Sequence, residues 1–260
     1  MTAILRAESR NLLRGSVVLT GVFALVTAFF LAVFPGMQEE AAAIEEAFPE
    51  HMLLLFGFEE LHTIEGFTSG YVFPLLLALF GGIYVAYVTA GMIAGDVRTR
   101  RMDLVLASPV SRESVVLQKV ASLWVPLVIL LGGLAIVLFF GAFVIGESFD
   151  PVSLAMVHLL SVPYLLACAG IGIVFSVVLD RVETAQAGAL GLVFVLWLIE
   201  GVSQMEPDYE WVGDLTPRRY YDPAVILVHE EYAFIDAGIL LAAFLVMLGI
   251  ALVIFRRRDI

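Results

Sequence analysis

Histidine, cysteine and carboxylate side chains set in apolar surroundings are where a chain like this could do chemistry. Four histidines occur, His51, His62, His158 and His229. None belongs to an HExxH pair or stands at ligand spacing from the single cysteine, Cys168, so a tetrahedral metal site has little support. Cys168 lies in an apolar run and has no second thiol with which to form an intramolecular disulfide. The nearest approach to a base and a nucleophile is His158 with Ser161, at helical i, i+3 spacing and so on one face. An intramembrane enzyme built on that couple needs a third group to orient the imidazole. The other reading of His158 is a hydrogen-bonded residue near a membrane interface. Glu200 closes an apolar run, and Asp96 and Asp180 stand beside arginines at the ends of others. The runs hold no ladder of ionisable groups, which argues against transport driven by an ion gradient. A GxxxxGK[ST] loop is missing, so the chain does not hold ATP in that way.

The elements that carry these groups are read from hydropathy. The chain is 61% hydrophobic and 15% charged, against about 25% charged residues in a soluble domain. A bilayer span takes about 20 mostly apolar residues. Six segments qualify or come close: residues 15–34, 70–94, 115–145, 154–179, 185–202 and 234–255. Only helices satisfy their own backbone in lipid, so the expected class is all-α and polytopic. The first run begins after Arg14 and is long enough to remain as a span, so no cleaved leader is expected. Before it, Arg6, Arg10 and Arg14 oppose Ile4, Leu5, Leu12 and Leu13, which predicts a short interfacial helix; the alternative is a frayed basic tail. Glycines recur along the spans, at Gly81, Gly82, Gly132, Gly133, Gly170, Gly172, Gly188 and Gly191. They fit close helix packing and equally helices that slide.

Basic residues check both the count and the direction. With six spans, Arg6, Arg10, Arg14, Arg98, Arg100, Arg101, Arg112, Lys119, Arg181 and Arg256 to Arg258 share one side, and only Arg218 and Arg219 fall on the other. The positive-inside rule makes the first side, with both termini, cytoplasmic. The net charge is −12, from 26 acidic and 14 basic residues, and Lys119 is the only lysine. That balance suits a protein facing very high salt, and a halophilic source is expected. The long outer loop from Met37 to Ser69 carries eight glutamates and no basic residue. Helical patterns are expected over residues 41–48 and 49–56. The last outer loop holds Trp211, Tyr220, Tyr221 and Tyr232, aromatics that favour an interface.

The most informative stretch joins the second and third spans, from Ile93 to Lys119. It is longer than a hairpin needs. Met102, Leu104, Val105 and Leu106 make a short amphipathic pattern that stops at Ser108-Pro109. Pro109 disfavours helix at Ser108, and Ser111 is a suitable cap for a new helix at Arg112. A short surface helix held between two spans is a handle for something outside the bilayer to push.

These residues carry a resemblance. Gly95-Asp96, then Asp103 to Leu106, Ser108-Pro109-Val110-Ser111-Arg112 and a closing Lys119 follow the second span in an order similar to the membrane subunit of ABC-2 type ATP-binding-cassette transporters. Phe48-Pro49-Glu50, Phe56-Gly57, Glu65-Gly66, Tyr221-Asp222-Pro223 and Phe255 to Asp259 resemble further pieces of that family, so the likeness spans nearly the whole chain. One departure is plain: Arg100-Arg101 stands where the family has Gly-Thr.

The resemblance implies a single ABC-2 type transmembrane domain over residues 1–260, with six transmembrane helices and a cytoplasmic coupling helix between spans two and three. It implies a permease subunit and not an enzyme, working beside a second permease chain, expected to be identical, and two copies of an ABC ATP-binding subunit. Those subunits, not this chain, would bind ATP; no cofactor is expected here, membrane lipids are the other partner, and no nucleic acid is expected. The coupling residues carried over are Asp96, Arg98, Arg100, Arg101, Met102, Asp103, Leu104, Leu106, Ser108, Pro109 and Arg112. The expected activity is export of a hydrophobic or amphipathic substrate across the cell membrane; the alternative is an ATPase-independent intramembrane enzyme or a scaffold.

Overall fold

Long apolar runs have one way to satisfy their backbone in lipid, and this chain takes it six times. A computed structural model describes residues 3–38, 40–41, 60–107, 109–204 and 207–258. Six helical stretches in it are long and apolar enough to cross a membrane: Ala3–Gln38, Ile64–Arg98, Arg112–Ile145, Pro151–Val178, Val182–Ser203 and Phe234–Arg257. The described residues contain no strand, and the fold is all-α. The expected helices over residues 41–48 and 49–56 lie outside the described residues, Ala41 excepted.

The first helix differs from expectation. α1 runs unbroken from Ala3 to Gln38, with no seam between an interfacial helix and a span. At about 1.5 Å per residue it exceeds a bilayer core of about 30 Å, so its polar first turns continue the span outward. Gly15 does not break it. A side chain there would press on the Tyr84 hydroxyl, which sits 3.1 Å from Ser16 Oγ. Pro35 lies in the last turn, where it removes one i→i−4 hydrogen bond and the helix ends three residues later.

The second span is three pieces. α2 (Ile64–Tyr71) is capped by Thr63, whose side chain accepts from the Gly66 N–H. A π-helical stretch, Phe73–Gly81, follows, and then α3 (Gly82–Arg98). Pro74 stands at the start of the widened stretch. Its ring has no N–H and would strike the carbonyl four residues back, so the helix opens there. The slack is used: Tyr164 donates its hydroxyl to the Ala78 carbonyl at 2.8 Å.

After α3 come α4 (Arg101–Leu106), α5 (Arg112–Ala121) and α6 (Trp124–Ile145). α5 and α6 together make the third span, with a jog that hydropathy does not reveal. Pro126 has no N–H for the Ser122 carbonyl, which takes the Val125 N–H instead at 3.1 Å, and the turn tightens. α7 (Pro151–Val178) starts at Asp150, whose carboxylate accepts from the Ser153 N–H at 2.7 Å. That bond holds the Asp150 carboxyl below the usual carboxylate range. α8 (Val182–Ser203) is followed by a folded loop of short pieces: Pro207–Tyr209, α9 (Glu210–Gly213), Pro217–Tyr220 and α10 (Pro223–Leu227). α11 (Phe234–Arg257) ends the fold.

α7 is the hub. It packs on α3, α8 and α11, while α1 lies along α6. Small residues make this possible, as van der Waals contact drives helix association in lipid. Gly82 faces Tyr164 and Cys168, Gly170 faces Met247, Gly172 faces Ala86 and Thr89, and Gly188 faces Phe175. Gly132 and Gly191 meet nothing within 4 Å. The loop before α11 does dip inward: Pro223, Ala224, Ile226 and Leu227 of α10 are buried, and α10 packs on α2 and α7.

Candidate functional site

Arg98, Arg100, Arg101, Arg112 and Arg256 to Arg258 gather on the face that carries both chain ends. At the centre is Lys119, 1% exposed in α5. It lies 2.8 Å from Asp96 of α3 and bonds Glu8 of α1. Removing an ammonium from water costs several kcal/mol, which only close, well-placed counter-charges offset. Two carboxylates from two other helices supply them. The triad thus ties the start of α1 to the end of α3 and the start of the third span.

Further charges lash the other ends. Arg98 bonds Glu183, which joins α3 to the first turn of α8. Arg112 donates to the carbonyls of Phe255 and Arg258, the first at 3.2 Å, and its guanidinium lies 5.9 Å from the Phe255 ring. Arg258 bonds Asp180 and donates to the Val177 carbonyl at 2.8 Å. Every helix entering this face is therefore fixed to a neighbour by a charged side chain.

The surface helix α4 is the exception. Met102 is its buried anchor, at 0% exposure. Arg100, Arg101, Asp103 and Pro109 are exposed, and Arg100 and Arg101 make no ion pair among the described residues. Leu104 and Leu106 belong to α4, and Ser108 lies outside the described residues. Ser111 caps α5 as expected, its hydroxyl accepting from the Ser114 N–H at 3.2 Å. Arg100 caps α4 with φ 55°, a left-handed conformation. That conformation costs a residue with a Cβ about 1 kcal/mol, and it explains why glycine suits this place. Arg100→Gly should raise stability by about 0.5–1 kcal/mol, read as a higher Tm in thermal unfolding of the detergent-solubilised protein.

The groups that looked catalytic do not join one another, and the buried His158 Nε2 has no hydrogen-bond partner among the described residues. Ser161 donates to the His158 backbone carbonyl at 2.6 Å, and His158 Nδ1 lies 2.7 Å from the Leu154 carbonyl. Neither contact joins hydroxyl to imidazole, so they form no base–nucleophile couple. Glu200, at the end of α8, is 2% exposed and accepts from Thr216 at 2.8 Å and Gln204 at 2.9 Å. Tyr221, expected at the interface, is 1% exposed, stacks on Tyr164 at 5.6 Å and donates to the Val157 carbonyl at 3.1 Å. Among the described residues, no group of three His, Cys, Asp or Glu is placed to hold a metal ion.

Sequence reasoning missed Glu8, Glu183 and Phe255 as partners of the segment from Ile93 to Lys119, the charged elbow between the second and third spans. One signal pointed there: a lone lysine, inside an apolar run, in a chain that otherwise uses arginine.

Six helical spans with a cluster of paired charges at one end define a multi-pass membrane protein. A family description, ABC-2 family transporter protein, matches residues 2–260, and the chain belongs to that family. No curated protein matches it. Membership makes the chain the membrane subunit of a transporter whose partner is an ATP-binding subunit.

Proposed function

We propose that this chain is the pathway-forming half of an exporter, and that α4 receives the stroke of the ATP-binding subunit. One observation carries the reading: the helices of the terminal face are tied together by charge, while α4 carries two exposed arginines that make no ion pair among the described residues. A push on α4 passes to α3 through the single residue pair Thr99-Arg100. From Asp96 it passes to α1 and α5 through Lys119. Two ATP-binding subunits hold the ATP and dock on this face, with Asp96, Arg98, Arg100, Arg101, Met102, Asp103, Leu104, Leu106, Ser108, Pro109 and Arg112 as the transmitting residues.

The arginine bias supports a cytoplasmic position for this face and both termini, in a protein of the plasma membrane. The 260 residues act as one transmembrane domain. A second copy completes the pathway. α1 and α8 present broad apolar faces suited to that contact, through Val18, Leu25 and Phe29 on one and Val195, Leu198 and Val202 on the other. The walls offered by spans one, two and five are apolar, which favours a hydrophobic or amphipathic substrate.

Charge reversal tests the lever. Arg100→Glu with Arg101→Glu should leave Tm nearly unchanged, because both side chains are exposed and unpaired among the described residues. Co-purification of the ATP-binding subunit should fall by tenfold or more, since like charges would face an acidic partner. Undiminished assembly and substrate-stimulated ATP hydrolysis in proteoliposomes would remove α4 from the coupling route.

A further inference from the structure

α8 and α11 both pack on α7, and Pro217–Tyr220 bridges them at the ends remote from the elbow. Beneath that bridge lies a cavity of about 180 Å³. For scale, a cavity of about 150 Å³ admits a benzene ring. Its polar lining is of both signs: Arg218 and Arg219 against Glu200, Asp222 and Asp236. Leu160, Val225 and Ile226 supply apolar wall.

The five charges are not equally free. Arg219 is committed to Glu210 at 2.6 Å and to Asp214 at 3.6 Å. Asp222 caps α10 through the Ala224 N–H at 2.8 Å. Arg218 is half-buried, donates one bond to the Tyr221 carbonyl at 2.6 Å and pairs with no carboxylate among the described residues. Asp236, half-buried in the first turn of α11, has no ion pair or side-chain hydrogen bond among the described residues. A half-buried guanidinium and a half-buried carboxylate thus line one cavity without being paired to each other. A partner with both signs would satisfy both.

Two further features say what kind of partner. Arg218 also touches an apolar wall between α7 and α8, formed by Ile171, Val193, Leu196 and Trp197 around a space of only about 10 Å³. A polar cavity and an apolar wall therefore meet at one guanidinium. At the same end of the fold, Tyr209 and Trp211 are 61% and 64% exposed. Exposed aromatics of this kind mark the headgroup level of a bilayer.

We propose that this cavity binds the headgroup of a zwitterionic amphiphile, its phosphate on Arg218 and its ammonium on Asp236, with the buried Glu200 carboxylate behind. The site needs only the fold, and it stands whether or not the bound amphiphile is cargo.

The test uses the full chain in a non-ionic detergent, titrated with a fluorescent-tailed phosphoethanolamine phospholipid. A diacylglycerol with the same tail is the uncharged control. Wild type should prefer the phospholipid by about tenfold or more, the value of a charge-assisted contact at each end. Arg218→Gln and Asp236→Asn should each remove most of that preference. Because Arg218 also holds the Tyr221 carbonyl, Asp236→Asn is the variant whose fold is expected to be untouched, checked by Tm and circular dichroism. Displacement by soluble glycerophosphoethanolamine would assign the site to a free phosphoamine, and displacement by intact lipid alone would assign it to the membrane. Equal binding of phospholipid and diacylglycerol by wild type would overturn the proposal, as would a wild-type preference in a folded Asp236→Asn variant.

Discussion

Lys119→Met is expected to cost about 3 kcal/mol or more of stability, the usual penalty for removing one partner from a buried ion pair. Methionine keeps the apolar stem and removes only the charge. It leaves Asp96 and Glu8, each less than one-fifth exposed, facing one another with no cation between them. Lys119→Arg should recover only part of the loss. The guanidinium keeps the charge, but its planar fork is wider than the ammonium it replaces, and Lys119 fills a site that is 1% exposed. The decisive comparison is the triple variant Lys119→Met, Asp96→Asn, Glu8→Gln. Removing every charge of a buried set is often close to neutral, whereas removing one is not. The triple variant should therefore be more stable than Lys119→Met alone, a coupling that single substitutions would not forecast. Thermal unfolding in detergent reads all three. A Lys119→Met protein within about 0.5 kcal/mol of wild type would show that the triad holds nothing together.

The contrast between span and triad shows what a sequence makes legible here. Spans are local: each is a run of apolar residues whose length alone forces a helix in lipid. Six runs were visible for that reason, and so was the surface helix, because Pro109 and Ser111 act on their immediate neighbours. The breaks inside spans were less visible. Pro74 widens one helix and Pro126 tightens the entry to another, yet neither interrupts the hydropathy that defines the run. Partners were the least legible. Lys119 is 111 residues from Glu8, and no local pattern joins them. Tyr221 has the composition of an interface residue, but this loop residue stacks on Tyr164, which belongs to the fourth span. Arg100 sits between these cases. Its departure from the family's Gly-Thr was visible in the sequence, while the left-handed backbone that gives the departure a cost was not.

Gly172→Ala is expected to be among the most damaging single-methyl additions in the fold. A Cβ at this position would overlap the Thr89 hydroxyl and the Ala86 carbonyl of α3. Neither obstacle can swing away. The carbonyl is helix backbone, and Thr89 Oγ1 is held by its own bonds to the Val85 and Ala86 carbonyls at 2.8 and 3.0 Å. Relief must come from moving α3 off α7, the two most closely packed spans, so the cost should reach or pass the upper end of the 1–3 kcal/mol typical of overpacking. Gly132→Ala and Gly191→Ala are the matched controls. A Cβ at either meets nothing within 4 Å, and alanine is the better helix former by about 1 kcal/mol, so both should be neutral or mildly stabilising. Thr89→Ala in the Gly172→Ala background should restore only part of the loss, because the Ala86 carbonyl stays in place. Tm measurements across this set separate overpacking from a general intolerance of methyl groups in the spans. The consequence reaches the elbow. α3 carries Asp96 and Arg98 at its end and leads directly into α4, so prising it from the hub displaces both charged ties at once. A folded Gly172→Ala protein should therefore also lose substrate-stimulated ATP hydrolysis by the partner subunit. Normal stimulation in that variant would mean that the elbow is positioned by α1 and α5, independently of the packing of α3 on α7.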